Sequence, residues 1–502
     1  MPGQRPDPAG LAETEHELLV IGGGITGAGV ALQAARLGAQ VLLLEKQDFA
    51  WGTSSRSTKM VHGGLRYIAQ GDVRLTRESL LERERLIREL PRLVVRHRYL
   101  FPVRQGRFPG RWSMTAVLWL YDRLAGIRDH RWLSRKQVLE QVPGINPDGL
   151  RGAMTYTDAV TDDSRLVLRT LHEAVAAGAR ACNYLGVTSV ERSEAGFLVH
   201  VRDGVTGGEH VLRARHVINA TGAWADRFSG TRRIRPLRGS HLFVPRERLP
   251  VDDCVTAIHP VDKRPVFVFP WEGVTCIGTT DLDHRQDPEE EARTTAEEVD
   301  YLLTLANSQF PRAALAPRDI LSSMAGVRPV ITSGKGVDPS KERRDHAVWD
   351  DNGVVTVSGG KLTTFRLIAL DALAAAGLVT AGRIKALRGQ REPFFSSDPG
   401  VPAALEAPLA PAPTGKALEQ AVAWVLEHEM VVHLDDLLLR RTRLGLLHPE
   451  GAAAVVDELR GLVTESLGWD DARWREERER YMEIIRRYYS PGDRPEGTDQ
   501  AA

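Results

Sequence analysis

The sequence predicts an α/β protein with a Rossmann-type core, an antiparallel strand-rich domain interleaved with it, and a helical C-terminal domain. Residues 17–21 (ELLVI) form an apolar run, followed by the turn GGGITG, a helix-forming stretch ending at Gly38 and a second apolar run, which together make a βαβ unit. Between residues 186 and 280, apolar and polar residues alternate in short runs typical of an antiparallel sheet. Residues 416–488 carry a helical pattern and no strand pattern.

Composition excludes some classes of function. The 502 residues are 42% hydrophobic, enough for sizeable cores, and predict about three domains. The 66 basic and 66 acidic residues balance, which argues against nucleic acid as a partner because phosphate neutralisation needs a basic surplus. The three cysteines have no metal-ligand spacing, so we expect reduced thiols and no metal site. No secretory signal and no apolar run of membrane-spanning length is found, which predicts a cytoplasmic location.

The glycine turn after the first apolar run predicts a dinucleotide site. Gly22 permits the tight turn, Gly24 lets the backbone approach a pyrophosphate, and Gly27 allows close packing of helix on strand. The helix N-terminus at Ile25 and Thr26 offers N–H groups to the phosphates. Glu45, about twenty residues further on, is placed to accept hydrogen bonds from a ribose.

NAD and FAD both use such a turn, and two later segments favour FAD. The segment INATGAW brings Ala220, Thr221 and Gly222 to a second strand end, as in flavoproteins with the two-dinucleotide-binding fold (the FAD/NAD(P)-binding fold). The segment VSGGKLTTF supplies a helix N-terminus suited to the electron-rich pyrimidine of a reduced flavin. The predicted FAD contacts also include Val187, Gly359, Gly360, Lys361, Leu362 and Thr363.

Residues 51–68 (WGTSSRSTKMVHGGLRYI) are rich in hydroxyls, glycine and cations. Such a segment suits the approach to an isoalloxazine ring, although a solvated basic loop has the same composition. His62 and Arg66 lie four residues apart and would share a face if this stretch is helical. The ERER run at 82–85 is interpreted as the solvated face of an amphipathic helix.

At this point the chain resembles the FAD-dependent glycerol-3-phosphate dehydrogenases. The resemblance runs from about residue 17 to residue 370 and touches the helical tail through DDLLLRRTRLGLL (435–447). Its most specific parts are the HGGLRY and GGKLTT blocks. The other segments are TSSRSTKM, NATGAWAD, RGSHLFVP, FPWEGVTCIGTTD and AGVRP.

The resemblance implies that the protein binds FAD, oxidises sn-glycerol 3-phosphate to dihydroxyacetone phosphate and passes electrons to a membrane quinone. It places His241 and Asp281 near the reacting carbon and leaves open whether Arg343 or Arg344 binds substrate. The implied substrate contacts are Arg66, Tyr67, Asp281, Arg328, Arg344 and Lys361. The implied flavin contacts in the 51–68 segment are Thr53, Ser54, Ser55, Gly63, Gly64 and Leu65.

These residue types suit the chemistry. Arginine forks grip a phosphate dianion, and Arg328 or Lys361 would stabilise negative charge on the C2 oxygen. The C2 hydride passes to flavin N5 while the hydroxyl proton leaves to a base, for which a neutral histidine is suited. We favour His62 over His241 as that base because His62 shares a segment with Arg66.

Three other functions are considered. A soluble oxidase of the same substrate would use oxygen, but it is expected to carry an inserted segment before GGKLTT, and none is found. An amine or amino-acid oxidase would favour an apolar or aromatic cage over this arginine set. A non-catalytic flavin module would not need charged residues in glycine-rich turns.

Residues 111–126 (RWSMTAVLWLYDRLAG) are too short to span a bilayer and predict either an interfacial helix or an ordinary packed helix. With Arg107, Arg111 and Arg123 beside the tryptophans, we expect peripheral binding to the inner face of the cell membrane. A homodimer is left open.

The predicted boundaries follow from these patterns. The chain is divided into a disordered lead (1–16), an FAD-binding domain (17–395) with a substrate part mainly at 76–150 and 232–345, a Pro/Ala-rich linker (396–415), a helical domain (416–490) and a disordered tail (491–502).

Overall fold

A computed structural model describes residues 3–69, 71–230, 232–287, 289–332, 345–390, 392–397 and 400–491, the side chains of Arg66 and Ala69 excepted. Its strands are β1 (Glu15–Ile21), β2 (Val41–Leu44), β3 (Met60–Val61), β4 (Val94–Arg104), β5 (Arg131–Ser134), β6 (Leu150–Thr161), β7 (Arg180–Cys182), β8 (Leu185–Ser193), β9 (Gly196–Asp203), β10 (Glu209–Asn219), β11 (Ile234–Pro245), β12 (Cys254–Ile258), β13 (Pro265–Trp271), β14 (Val274–Gly278), β15 (Leu282–Asp283), β16 (Ser322–Ile331), β17 (His346–Asp351) and β18 (Val354–Gly359).

The α-helices are α1 (Pro8–Ala12), α2 (Ile25–Arg36), α3 (Leu65–Ala69), α4 (Val73–Glu89), α5 (Arg111–Ala125), α6 (Arg135–Gln141), α7 (Asp163–Ala176), α8 (Ala296–Gln309), α9 (Phe365–Ala375), α10 (Ala381–Gly389), α11 (Gly415–His428), α12 (Leu444–Leu447), α13 (Ala453–Glu458), α14 (Arg460–Leu467) and α15 (Asp471–Ile484). Short 3-10 turns include Thr53–Ser55, Gly222–Phe228 and Leu362–Thr364, and π-helical turns cover Asp436–Arg441 and Ile485–Tyr489.

The first sheet has the order β17-β18-β10-β1-β2-β7, with β9 beside β10 and β8 beside β9. Strands β18, β10, β1, β2 and β7 run parallel, as the continuous apolar runs of β1 and β2 predict. Helices α2, α7 and α9 pack on one face, in a core that includes Val20, Leu32, Leu168 and Leu370. The Rossmann-type α/β core is therefore confirmed.

The second sheet is mainly antiparallel, in the order β15-β11-β14-β13-β12-β4-β6-β3, with β16 on β11 and β5 on β6. One of its faces packs on α6 and α8 around Leu242 and Leu302. The other face, with Phe243 and Trp271, shares a core with α5 and the C-terminal helices. The alternating runs from β11 onwards belong to this sheet, as expected, whereas β8, β9 and β10 from the earlier part of the same pattern belong to the first sheet.

Three parts differ from the sequence prediction. The lead is ordered from residue 3 onwards, because α1 buries Leu11 and the Arg5 guanidinium donates to Asp203 at 2.7 Å. The predicted linker packs against the protein, with Leu405 and Glu406 buried and Arg92 donating to Glu406 at 3.0 Å. The C-terminal helices share a core with the second sheet, so they are no detached unit.

The predicted tail lies outside the described residues apart from its first residue, 491. Across the described ranges, no helix combines the length and apolarity that a bilayer crossing requires.

Candidate active site

A cleft of about 310 Å³ lies at the carboxyl edge of the first sheet, where ligands of open parallel sheets bind. Segments that follow the ends of β18, β10, β1 and β2, four adjacent strands, line it. With neighbouring strands about 4.8 Å apart, this edge is about 14 Å long, which suits an elongated ligand. The predicted residues that line it are Gly22, Gly24, Ile25, Thr26, Glu45, Thr53, Ser54, His62, Tyr67, Val187, Ala220, Thr221, Gly222, Arg328, Gly359, Gly360, Lys361, Leu362 and Thr363.

The glycine turn leads directly from β1 into α2. Gly22 has φ of +110°, and Gly24 is the N-cap residue of α2. A Cβ on Gly27 would lie 1.9 Å from the carbonyl oxygen of Gly22, so no side chain fits there. The hydroxyl of Ser54 accepts a hydrogen bond from the N–H of Ile25 at 3.0 Å, which ties the following segment to the start of the helix.

Glu45 stands at the end of β2. Its carboxylate accepts hydrogen bonds from the N–H groups of Gly23 at 2.7 Å and Gln47 at 2.9 Å. Burial raises the pKa of Glu45 despite those two hydrogen bonds. The acid expected to meet a ribose thus also braces the glycine turn.

The HGGLRY block and the GGKLTT block meet in the cleft. The N–H of His62 donates to the Thr363 hydroxyl at 3.2 Å, and that hydroxyl lies 3.1 Å from the carbonyl oxygen of His62. The Lys361 ammonium lies 3.7 Å from the centroid of the Tyr67 ring and donates to Ser79 at 3.0 Å. Gly64 has φ of +83°, and a Cβ there would lie 2.2 Å from the Tyr67 ring. The absence of a side chain at Gly64 therefore leaves room for the Tyr67 ring to lie against the Lys361 ammonium.

Arg328 reaches the cleft from β16. Its guanidinium donates to the Thr279 hydroxyl at 2.8 Å and to Asp281 at 3.2 Å. Asp281 itself does not line the cleft, which corrects its expected position beside the reacting carbon. The carboxylate instead orients the guanidinium of Arg328.

His241 is also placed differently from the prediction. It is wholly buried in β11 and outside the cleft lining. Its Nε2 lies 3.1 Å from the Thr58 hydroxyl, and Thr58 does line the cleft. Burial, with Arg328 and Lys59 nearby, lowers the pKa of His241 well below its usual value. His241 therefore stays neutral and meets the cleft only through Thr58.

Other predicted residues fall outside the lining or outside the described atoms. Ser55 is buried, and its carbonyl oxygen points to Lys59 and Arg443 rather than to the cleft, because the 3-10 turn directs it inward. The side chain of Arg66 and all of Arg343 and Arg344 lie outside the described residues. The remaining predicted contacts outside the lining are Gly27, Gly63, Gly64 and Leu65.

Several lining residues were not predicted, although they stand inside the segments that carry the resemblance. Trp51 and Trp224 have ring centroids 5.8 Å apart, with the Lys46 ammonium 5.0 Å from the Trp224 ring. Thr58 belongs to the TSSRSTKM segment, so membership in these segments was the signal that could have found it. Among the described lining residues, Glu45 supplies a carboxylate, whereas the cations are Lys46, Arg56, Arg227, Arg328 and Lys361. The lining therefore carries more cations than carboxylates and suits phosphate groups, and four of these cations (Lys46, Arg56, Arg227 and Arg328) also pair with carboxylates outside it.

No cluster of metal-ligating side chains occurs among the residues that the structure describes. An elongated, glycine-walled and cationic cleft with an acid at the end of β2 fits a dinucleotide rather than a metal centre.

Residues 17–369 match the family described as FAD dependent oxidoreductase, and residues 394–474 match the C-terminal domain of alpha-glycerophosphate oxidase. The aerobic glycerol-3-phosphate dehydrogenase of Staphylococcus epidermidis is 37% identical over 373 residues, which are 72% of this chain and 67% of that protein. The Staphylococcus aureus protein of the same name is 36% identical over the same shares of the two chains.

Solved structures agree with the fold. The glycerol-3-phosphate dehydrogenase of Bacillus halodurans, complexed with FAD, superimposes with a TM-score of 0.71 at 28% identity, covering 95% of each chain. The L-alpha-glycerophosphate oxidase of Mycoplasma pneumoniae, with FAD bound, has a TM-score of 0.58 at 19% identity, covering 72% of this chain and 95% of that one. At that identity the second likeness concerns the fold alone.

Proposed function

We infer the reaction from one premise, that the chain belongs to the FAD-dependent glycerol-3-phosphate dehydrogenase family within the FAD-dependent oxidoreductases. The protein is an FAD-dependent enzyme that oxidises sn-glycerol 3-phosphate to dihydroxyacetone phosphate. The single observation that carries this function is the convergence of Arg328, Lys361 and His62 in a cationic cleft that continues from the glycine turn.

The residues present fit FAD. The cleft follows four strand ends, and the clash that a Cβ on Gly27 would make shows that α2 packs on the glycine turn as closely as a dinucleotide-binding turn requires. Glu45 would hold the ribose, Gly22 and Gly24 the pyrophosphate, and the Gly359–Thr363 stretch the flavin. FAD, when bound, supplies the acceptor of the C2 hydride.

The chain's own groups bind the substrate and move its proton. The guanidinium of Arg328, oriented by Asp281, and the ammonium of Lys361 offer charge to the phosphate or to the C2 oxygen. His62, half-buried in the lining, takes the hydroxyl proton. His241 is a weaker choice because burial lowers its pKa and the Thr58 hydroxyl stands between it and the cleft.

The electron acceptor is a membrane quinone, reached by peripheral binding to the inner face of the membrane through α5. Trp112 and Trp119 stand on one exposed face of this helix and are 78% and 56% exposed. The guanidiniums of Arg111 and Arg123 lie 5.2 and 5.6 Å from those rings. Phe108 beside the helix is 87% exposed. Exposed aromatics flanked by cations are typical of interfacial helices.

One experiment tests the substrate and the acceptor. Purified holoenzyme is mixed anaerobically with glycerol 3-phosphate, and the flavin absorbance band is followed. We expect the band to bleach and to return rapidly with a quinone analogue but slowly with air. Fast return with air alone would favour the soluble oxidase, and absence of bleaching would refute the substrate.

A further inference from the structure

Three arginines from one short segment of the C-terminal helical region contact the FAD-binding domain. Arg440, Arg441 and Arg443 are each about 1% exposed. Arg440 donates to Asp48 at 2.5 Å, and Arg441 donates to the other oxygen of the same carboxylate at 2.8 Å. Asp48 follows Glu45 by three residues. This contact therefore fixes the chain just after the ribose-binding acid.

Arg443 reaches further along the same part of the chain. It donates to the carbonyl oxygen of Ser55 at 3.2 Å and to Asp162 at 2.6 Å, and it also contacts Asp163. Lys59 donates to the same Ser55 carbonyl at 2.6 Å and to Asp163 at 2.7 Å. Two buried cations thus donate to one backbone oxygen, and two buried carboxylates pair with those cations.

That oxygen belongs to the segment that forms a wall of the cleft. Thr53, Ser54, Ser57 and Thr58 line the cleft on both sides of Ser55 in sequence. The N–H of Ser57 donates to Asp163 at 2.8 Å, so the carboxylate that pairs with Arg443 also holds the next turn. A shift at Ser55 would move the hydroxyls on either side of it.

The backbone supports the same conclusion. Arg443 and Lys59 have φ of +61° and +59°, in the left-handed region where glycine is preferred. A glycine at either position would avoid the strain but would leave the Ser55 carbonyl without that donor. The strain is compatible with a function that needs these two side chains.

We propose that Arg443, with Arg440 and Arg441, makes the C-terminal helical region a positioning element of the FAD site, holding residues 45–59 from the ribose acid to the flavin-facing hydroxyls. The inference rests on the proposed FAD site. Arg443 touches no part of the cleft lining itself and acts through Ser55 and Asp163. The C-terminal helical region therefore affects both the affinity for FAD and the electronic environment of the flavin.

Electrostatics agree with an ionised Asp163 in this cluster. Burial alone would raise the pKa of Asp163, but Lys59 and Arg443 bring it below its usual value. Burial and the neighbouring Arg443 lower the pKa of Lys59. Removing Arg443 alone would leave an unbalanced carboxylate beside the flavin segment.

The variants distinguish the position of Arg443 from its charge, and a control pair distinguishes both from a general loss of stability. Arg443→Met combined with Asp162→Asn keeps the cluster neutral, and asparagine still caps α7. Arg443→Lys keeps the charge but cannot span both groups. The control pair is Arg92→Met with Glu406→Gln, because Arg92 donates to the buried Glu406 at 3.0 Å and neither residue contacts residues 45–59 or the three arginines.

FAD affinity and the visible flavin spectrum are measured without substrate, so their outcome does not depend on which alcohol is oxidised. For the Arg443→Met/Asp162→Asn protein we expect FAD to bind about tenfold more weakly, as for loss of one charge-assisted hydrogen bond, with a shifted flavin spectrum. We expect Arg443→Lys to recover part of both, and the control pair to stay within about twofold of wild type. Wild-type FAD affinity and spectrum in the first variant, or an equal loss in the control pair, would overturn the proposal.

Discussion

The exposed aromatic face of α5 leads to a prediction whose size follows from the structure. A free tryptophan side chain offers about 250 Å² to solvent. At 78% and 56% exposure, Trp112 and Trp119 leave about 190 and 140 Å² in contact with water. At about 25 cal/mol per Å², complete burial of both rings is worth about 8 kcal/mol. The two rings could therefore supply most of the affinity for a membrane.

A helix in the interface plane leaves part of each ring in the hydrated headgroup layer. Burial of half the exposed area gives about 4 kcal/mol, a factor of about 1,000 in partitioning. We therefore expect Trp112→Ser combined with Trp119→Ser to weaken vesicle binding by about 100-fold to 1,000-fold. Because Arg111 and Arg123 flank the rings, wild-type binding should also strengthen with anionic lipid and weaken with salt.

The assay is flotation of the holoenzyme with vesicles of neutral and anionic phospholipid, at several lipid concentrations. The matched control is Val261→Ser, since Val261 is 77% exposed in the loop between β12 and β13. The control should bind as wild type does, and flavin reduction by substrate should be unchanged in the tryptophan variant. Equal vesicle binding by the tryptophan variant and wild type would refute the interfacial role of α5.

Three further predictions concern the site and its support. His62→Asn should slow flavin reduction by glycerol 3-phosphate about 100-fold or more in rapid mixing, whereas His241→Asn should slow it less; a normal rate in the first variant excludes His62 as the base. Gly27→Ala should yield folded protein without FAD, because its Cβ would lie 1.9 Å from a carbonyl oxygen, and a full flavin spectrum after purification would contradict this. Burial would raise the pKa of Glu429, but Arg165 and His172 bring that pKa far below its usual value, so the stability that Glu429 contributes is present above about pH 4.5 and is lost as pH falls. The melting temperature of Glu429→Gln should therefore be lower than that of wild type at neutral pH and should fall less in acid. Parallel curves of melting temperature against pH for the two proteins would contradict this.

Local patterns predicted the core of the site well. The βαβ unit from β1 to β2 depends on apolar runs and on glycines whose neighbours lie close in sequence, so Gly22, Gly24 and Glu45 meet the cleft as expected. The GGKLTT block does so too, because a strand end followed by a helix has one common geometry in parallel sheets.

Contacts between segments far apart in sequence could not be predicted from local patterns. The burial of His241 results from pairing of β11 with β14 and β16, whose residues lie tens of positions away in sequence. The ERER run at 82–85 was interpreted as solvated, yet Arg83 is fully buried because Asp158 of β6 accepts its hydrogen bond at 2.6 Å. The role of Arg443 depends on the packing of the C-terminal region, which no local pattern indicates.

The central claim is that the cationic cleft presents a phosphorylated secondary alcohol to the flavin. It is tested most directly by rapid anaerobic mixing of the holoenzyme with glycerol 3-phosphate and, separately, with glycerol at the same concentrations. We predict fast, saturable bleaching of the flavin band by glycerol 3-phosphate and little or none by glycerol, since the proposal gives Arg328 and Lys361 in the cleft lining the role of binding the phosphate. Equal bleaching by the two alcohols, or none by either, would contradict the claim.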